Sequence, residues 1–202
     1  MANQIKELFG RMPDDLEAFA LASQIAQAEA LKFFIESTRL RKWRTTGILW
    51  WNVIDGWPQF SDAVVDYYFG RKLAYHYIQR CQHPVCLIIG EAGVGKYLPI
   101  VVCNDTRVAA EIHYRIWDTQ DDERLAAGAF TVPPNQNWQI GRLRTYVGEQ
   151  RLYLIQWQLN GRSFGNHYLA GAPPISLDRY RSWLQEIASL PEPFSARDVA
   201  RQ

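Results

Sequence analysis

Two kinds of hydrophobic spacing divide the chain. From residue 14 to about 43, Leu16, Phe19, Ile25, Ala28, Leu31 and Ile35 fall near helical spacing, which predicts one long helix. Pro13, Asp14 and Asp15 suit its N-terminal end, where free N–H groups favour negative charge. Arg39, Arg41, Lys42 and Arg44 suit its C-terminal end, and Thr45-Thr46-Gly47 breaks it. Residues 47–54, GILWWNVI, form a continuous apolar run with one Asn. Lying between that helix and a second helical segment at 71–80, the run predicts a buried parallel strand. Asp55-Gly56-Trp57-Pro58 ends it with turn signals. One strand makes no sheet, so this strand implies neighbours that the first half does not supply.

After Pro84 the spacing changes. Short runs rich in Val, Ile, Tyr and Trp alternate with turn residues, and strands are predicted near 85–90, 97–103, 109–117, 127–132, 139–144 and 151–159. In the last, Tyr153, Ile155, Trp157 and Leu159 point one way and Gln156 and Gln158 the other, the period of a half-buried antiparallel strand. Six or seven such strands suggest a β-sandwich of immunoglobulin type. Leu177, Tyr180, Leu184 and Ile187 then give a short amphipathic helix capped by Ser176. The tail 191–202 is expected to be loose. No internal repeat is visible.

Composition adds little that is global. Lys plus Arg number 22 and Asp plus Glu 21, a net charge of +1, which offers no general argument for nucleic acid or an anionic membrane. No apolar run approaches a membrane span and the N-terminus is no secretory signal, so neither clue to compartment is present. The three cysteines, Cys81, Cys86 and Cys103, are too few and odd in number for a disulfide framework, which leans towards the cytoplasm. The eight Trp, ten Tyr and nine Phe stand out: such clusters fit stacked cores and also sugar platforms.

Three motifs invite other chemistry and are set aside. Gly90–Lys96 has the G-x-x-x-x-G-K spacing of a phosphate-binding loop. The next residue, however, is Tyr97 rather than a Ser or Thr, and Pro99 with the run IVVC forbids the helix that would cradle phosphate. Cys81, His83 and Cys86, with Cys103 further on, do not match common zinc spacings, and Cys86 and Cys103 lie in apolar strands. The stretch RLRKWR, 39–44, reads as a solvated helix end.

The informative stretch is 47–77, where Trp50, Trp51 and Trp57 cluster at the end of the predicted strand. In an αβ barrel function sits at the C-terminal ends of strands. A Trp there offers a flat apolar face to a pyranose, while Asn and Asp hydrogen-bond its hydroxyls. The same tryptophans could equally be barrel core and loop anchors. On chemistry alone both readings stay open.

The sequence also resembles a known family. The residues that carry it are Ser23–Ala28 (SQIAQA), Ile35–Arg39 (IESTR), Gly47–Pro58 (GILWWNVIDGWP), Asp66-Tyr67-Tyr68 and Lys72–Tyr75 (KLAY). Asn166–Leu169 (NHYL) and Tyr180–Leu184 (YRSWL) form a second block. Together they resemble the end of the catalytic barrel of glycoside hydrolase family 2, particularly its β-mannosidase-like members, and the sandwich that follows it. The resemblance implies that 14–80 are the seventh helix, eighth strand and eighth helix of a barrel. It implies that Trp51 lines the sugar subsite, with Asn52, Asp55 and Trp57 as substrate-binding neighbours. Asn52 stands where β-mannosidases often have Gln and β-galactosidases Asp. The catalytic glutamates of the family, at the ends of the fourth and seventh strands, are expected to precede this chain. No local pair replaces them at the 5–5.5 Å or so that retaining glycosidases need: Asp62 and Asp66 follow the strand, Glu29 and Glu36 lie mid-helix, and Glu36 with Arg39 reads as a structural ion pair.

The expectation is therefore an α+β chain in three parts: a helix–strand–helix segment of a (β/α)8 barrel over 1–83, an immunoglobulin-like antiparallel sandwich over 84–190 with its short helix, and the tail. Its function would be that of a C-terminal piece of a family 2 enzyme hydrolysing β-linked O-glycosyl bonds, with no catalytic residue of its own, no metal and no cofactor. Its partners would be carbohydrate and the missing barrel portion, or a second copy, with no nucleic acid and no membrane. The alternative is a non-catalytic carbohydrate-binding or interaction module built on the sandwich. Truncation should leave 47–54 and the long helix with exposed apolar surface.

Overall fold

The computed structural model describes residues 1–93, 96–144, 148–196 and 199. Among the described residues, four helices and seven strands alternate in blocks. α1 spans Ala2–Phe9, α2 Leu16–Leu40 and α3 Leu73–Cys81. β1 is Val85–Ile89, β2 Tyr97–Asn104, β3 Ala110–Asp118, β4 Glu123–Val132, β5 Gln136–Arg144, β6 Arg151–Leu159 and β7 Arg162–Ala170. α4, Leu177–Ser189, closes the order. The long helix starts where an acceptor is available: the Asp15 side chain takes the Ala18 N–H at 2.8 Å. Ser176 does the same for α4, accepting from Arg179 N at 3.3 Å.

The strands form two antiparallel sheets, β1-β2-β5 and β4-β3-β6-β7. Their inner faces share one core, with Leu87, Ile100 and Val102 from the first sheet and Ile112, Ile116, Ile155 and Trp157 from the second. This is a β-sandwich. Six strands fall where the spacing predicts them. The seventh, β7, follows β6 through a two-residue turn, Asn160-Gly161, with φ values of 51° and 76°. Those left-handed values are what a tight hairpin between twisted strands requires, and Asn and Gly tolerate them best.

The helices cover the outer face of the larger sheet. In β6 the side chains alternate between two cores: Tyr153, Ile155 and Trp157 enter the sandwich, whereas Leu152 and Leu154 join Ile25, Leu73, Tyr77 and Leu184 beneath the helices. β6 is therefore buried on both faces over this stretch.

Two expectations are corrected. Residues 47–54 form no strand. They lack regular structure and bend at Trp51 and Val53, with Ile48 and Trp50 packed against the helical core and Leu49, Trp51 and Val53 exposed at 101%, 81% and 62%. A strand buried on both faces needs hydrogen-bonding neighbours along its length, and among the described residues the segment has only the short pairing of 52–55 with 64–65 at its end. The anticipated apolar exposure is present. The tail, in turn, is not loose where it is described. Phe194, Ala196 and Val199 pack on the helical core, Arg80 donates to the carbonyls of Ile187, Leu190 and Glu192, and Gln24 donates to Val199 O at 2.9 Å. Those carbonyls lie at and just beyond the end of α4, where a buried guanidinium is a fitting cap. The rest of 191–202 lies outside the described residues.

Candidate functional site

The segment between α2 and α3 is compact despite having little regular structure. A short parallel bridge joins Ile54 to Val65. Around it, Val64 N donates to Asn52 O at 3.2 Å, Val65 N to Val53 O at 2.9 Å and Asp55 N to Val65 O at 3.1 Å. Asp66 closes the next turn by accepting the Tyr68 and Gly70 amides, each at 2.8 Å. Short acidic side chains form such turns because the carboxylate can reach amides two to four residues ahead. Lys72 N then donates to Val64 O at 3.0 Å, and α3 begins.

The four residues singled out in the sequence are brought to this segment but do not face the same way. Trp51 and Trp57 are exposed, at 81% and 63%. The Asn52 Oδ1 is enclosed without a hydrogen-bond partner among the described residues. The Trp51–Asn52 peptide is cis. Asp55, expected beside them, turns inward instead and is only 4% exposed. Its Oδ2 accepts from Lys72 Nζ at 3.1 Å, and its Oδ1 from Gln59 Nε2 at 3.1 Å and from the Ser61 hydroxyl. Burial pushes this carboxyl up, but the hydrogen bonds from Ser61, Lys72 and Gln59 and the Lys72 charge outweigh it and hold it below the usual range. Sequence reasoning missed Gln59, Ser61 and Lys72. The only signal for them was the pair of polar side chains four and six residues beyond Asp55 and a Lys at the start of the helix 17 residues on.

Beside this loop, residues 58–61 and 66–68 face α2 across a cleft of about 420 Å³, lined by Ser23, Gln27, Phe60, Tyr67 and Lys72 among others. A second cleft, of about 640 Å³, separates the end of α2 from the sandwich. There Arg39 and Lys42 are both spent on Asp105, at 2.9 and 2.5 Å. The basic stretch is thus partly neutralised within the chain.

The mid-helix carboxylates are likewise engaged, in a buried polar seam between α2, α3, β7 and α4. Glu29 accepts from His167 Nε2 at 2.9 Å and from the Tyr180 hydroxyl, which is 2.8 Å from the Tyr77 hydroxyl. Burial pushes Glu29 up, and the neighbouring His167 and Lys32 more than reverse that. Burial also holds His167 below the usual imidazole range, against the pull of Glu29. Glu36 does not pair with Arg39 as the spacing suggested. It pairs with Lys32 at 2.8 Å and accepts from Asn166 at 2.7 Å, because Arg39 points to Cys81 O and Asp105.

The three thiols are free and buried, and burial pushes Cys86 and Cys103 up to about 12. Cys86 and Cys103 sit opposite each other on β1 and β2. No cluster fit to hold a metal occurs among the described residues. Of the glycine-rich motif, Val94 and Gly95 lie outside the described residues, and Tyr97 opens a strand where a phosphate loop needs a helix. Among the described residues no helix is long and apolar enough to cross a membrane.

An α+β chain with a helical layer on a β-sandwich, carrying an exposed aromatic rim, is the architecture that comparison with known proteins has to explain. No family model matches the chain. β-Mannosidase B of Thermothelomyces thermophilus is 37% identical over 197 residues, covering 85% of this chain and 22% of that protein. β-Mannosidase B of Aspergillus niger is 36% identical over 81 residues, 38% of this chain and 10% of that protein. Among solved structures, a β-D-mannosidase from Dictyoglomus thermophilum matches with a TM-score of 0.69 at 24% identity, over 85% of this chain and 22% of its own. An exo-chitosanase from Amycolatopsis orientalis matches with a TM-score of 0.65 at 15% identity, over 92% of this chain and 25% of its own. At these identities the structural matches establish the fold alone. The chain is a relative of β-mannosidase-like members of glycoside hydrolase family 2 and corresponds to their C-terminal region. It spans between a tenth and a quarter of the length of the proteins named here.

Proposed function

We propose that the chain is the C-terminal segment of a retaining exo-glycosidase acting on β-linked sugars, β-mannosidase-like, and that it supplies part of the sugar subsite without the catalytic carboxylates. In this reading 1–83 complete a (β/α)8 barrel, and 84–190 form an immunoglobulin-like accessory domain. The observation that carries it is the exposure of Trp51 and Trp57, at 81% and 63%, on a segment of the chain related to β-mannosidase B. Trp51 would stack against the C–H face of a pyranose, and Asn52 would be its polar neighbour at the same position. The bond itself would be cleaved by two glutamates supplied outside this chain. The local carboxylates suit neither role: Asp55, Glu29 and Glu36 are each committed to buried partners. The exposed Leu49 and Val53 would meet the remaining barrel strands.

The test is hydrolysis of nitrophenyl β-mannoside by the purified chain. No turnover is expected. Turnover that disappears in Asp55→Asn would overturn the reading.

A second reading, a sugar-binding or interaction module on the sandwich, has one observation in its favour. On β3 and β6, His113, Arg115, Gln156 and Gln158 border a shallow cleft of about 390 Å³, with Arg115 held by Gln156 at 2.6 Å and stacked 4.6 Å from the Trp117 ring centre. Saccharide binding that survives Trp51→Ala but is lost in Arg115→Ala would favour it.

A further inference from the structure

We propose that Asp55 is a positioning residue rather than a sugar ligand: with Lys72, Ser61 and Gln59 it forms an enclosed clamp that fixes the segment carrying Trp51 and Trp57. The positioning role rests on the reading of that rim as a saccharide platform. The clamp itself rests on geometry alone.

The side chains of Asp55 and Lys72 are only 1% and 12% exposed, so a sugar hydroxyl has almost no approach to the carboxylate. Its oxygens are already occupied by three donors from two other stretches, the loop at 59–61 and the start of α3. Lys72 is tied at both ends, through its amide to Val64 O and through Nζ to Asp55 and, more loosely at 3.5 Å, to Ser61 O. The backbone pairing of 52–55 with 64–65 abuts the same carboxylate. Trp51 precedes this knot, and Trp57 lies inside the loop whose two ends, Asp55 and Gln59, are joined side chain to side chain. In a segment with little regular structure, this knot takes the place of a sheet in setting where the two indoles stand.

The residue types fit that task. An Asp accepts at both oxygens and carries the charge that pairs with Lys72, whereas an Asn at 55 keeps one acceptor and no charge, so Lys72 loses its counter-ion and the Gln59 and Ser61 side must reverse its hydrogen bonds or lose them. Lys72 supplies the charge that makes the buried carboxylate tolerable, and Ser61 and Gln59 saturate its second oxygen.

Hydrogen exchange and saccharide titration of the full chain test this together. The amides of Val64, Val65 and Lys72 report the knot, and those of β6 report the global fold. Asp55→Asn and Lys72→Met are expected to speed exchange at the first three at least tenfold with β6 unchanged. Trp51→Ala should leave all of them alone, and Asp55→Glu should restore part of the protection. With β-1,4-mannobiose as the probe, Asp55→Asn should weaken binding about tenfold although Trp51 is intact. Unchanged exchange at the three amides in Asp55→Asn would overturn the clamp. Faster exchange with unchanged mannobiose affinity would overturn the positioning role. If the wild-type chain binds no mannobiose, the platform reading fails and the positioning role with it, while the exchange arm still decides the clamp. Should Asp55→Asn unfold the whole chain, Ser61→Ala removes one donor and no charge and reads the same amides.

Discussion

Replacing Glu36 by Ala strikes the seam where the helical layer meets the sandwich. The Lys32 and Glu36 side chains are 5% and 9% exposed and 2.8 Å apart. The substitution leaves an ammonium buried without its partner, an imbalance that typically costs about 3–5 kcal/mol. It also removes the 2.7 Å acceptor of Asn166, whose remaining bond, to Leu87 O, is 3.3 Å long. For a chain of this size each kcal/mol moves the melting midpoint by roughly 2–4 °C, so a fall of about 6–20 °C is expected by calorimetry. Lys32→Met with Glu36→Leu should recover most of the loss, because no unpaired charge remains, although Asn166 still lacks its acceptor. Glu36→Gln should fall between wild type and Glu36→Ala, since an amide can still accept from Asn166. A loss below about 1 kcal/mol for Glu36→Ala is the behaviour of a solvated pair and would refute the seam.

Acidification should destabilise the chain. His76, His83 and His167 are all held below the usual imidazole range, first by burial and, for His76, also by Arg80 and Arg71, which brings it to about 4. Below about pH 6.5 the unfolded chain binds protons that the folded chain refuses, so stability falls as pH drops, and Glu29 and Asp55 extend the loss below about pH 4.5. The urea midpoint should be lower at pH 5 than at pH 7.5, with a smaller difference in His76→Phe; equal midpoints would contradict this. Gly165→Ala would set a Cβ 2.9 Å from the Leu190 Cβ and 3.0 Å from the Pro191 Cδ. It should cost about 1–3 kcal/mol and loosen the segment after α4, seen as faster proteolysis there. Leu49, Trp51 and Val53 form an exposed apolar stripe, so light scattering should show self-association that Leu49→Glu with Val53→Lys reduces. A monomer at all concentrations would argue against a docking role for the stripe.

The sandwich was legible because its strands alternate against a core contained within the chain. β7 alone escaped, although Asn160-Gly161 between two apolar runs is a strong hairpin signal. The helices were legible where caps and periodicity agreed, as at Asp15 and Ser176. The strand at 47–54 was not, because an apolar run encodes the need for two covered faces and does not say whether a neighbour is present. The inward turn of Asp55 was hidden for a related reason: its main partner, Lys72, lies 17 residues on, and nothing local in the sequence joins the two. The pairing of Glu36 failed because helical spacing offers both Lys32 and Arg39, and only tertiary packing, through Asn166 and Asp105, chooses between them.

If the exposed tryptophans hold a β-linked sugar, calorimetric titration of the purified chain with β-1,4-mannobiose will register it. Trp51, exposed at the rim, should contribute about 1.5 kcal/mol of stacking, so Trp51→Ala should weaken binding about tenfold with the melting midpoint unchanged. Equal affinity in wild type and Trp51→Ala, or no heat from either, would contradict it.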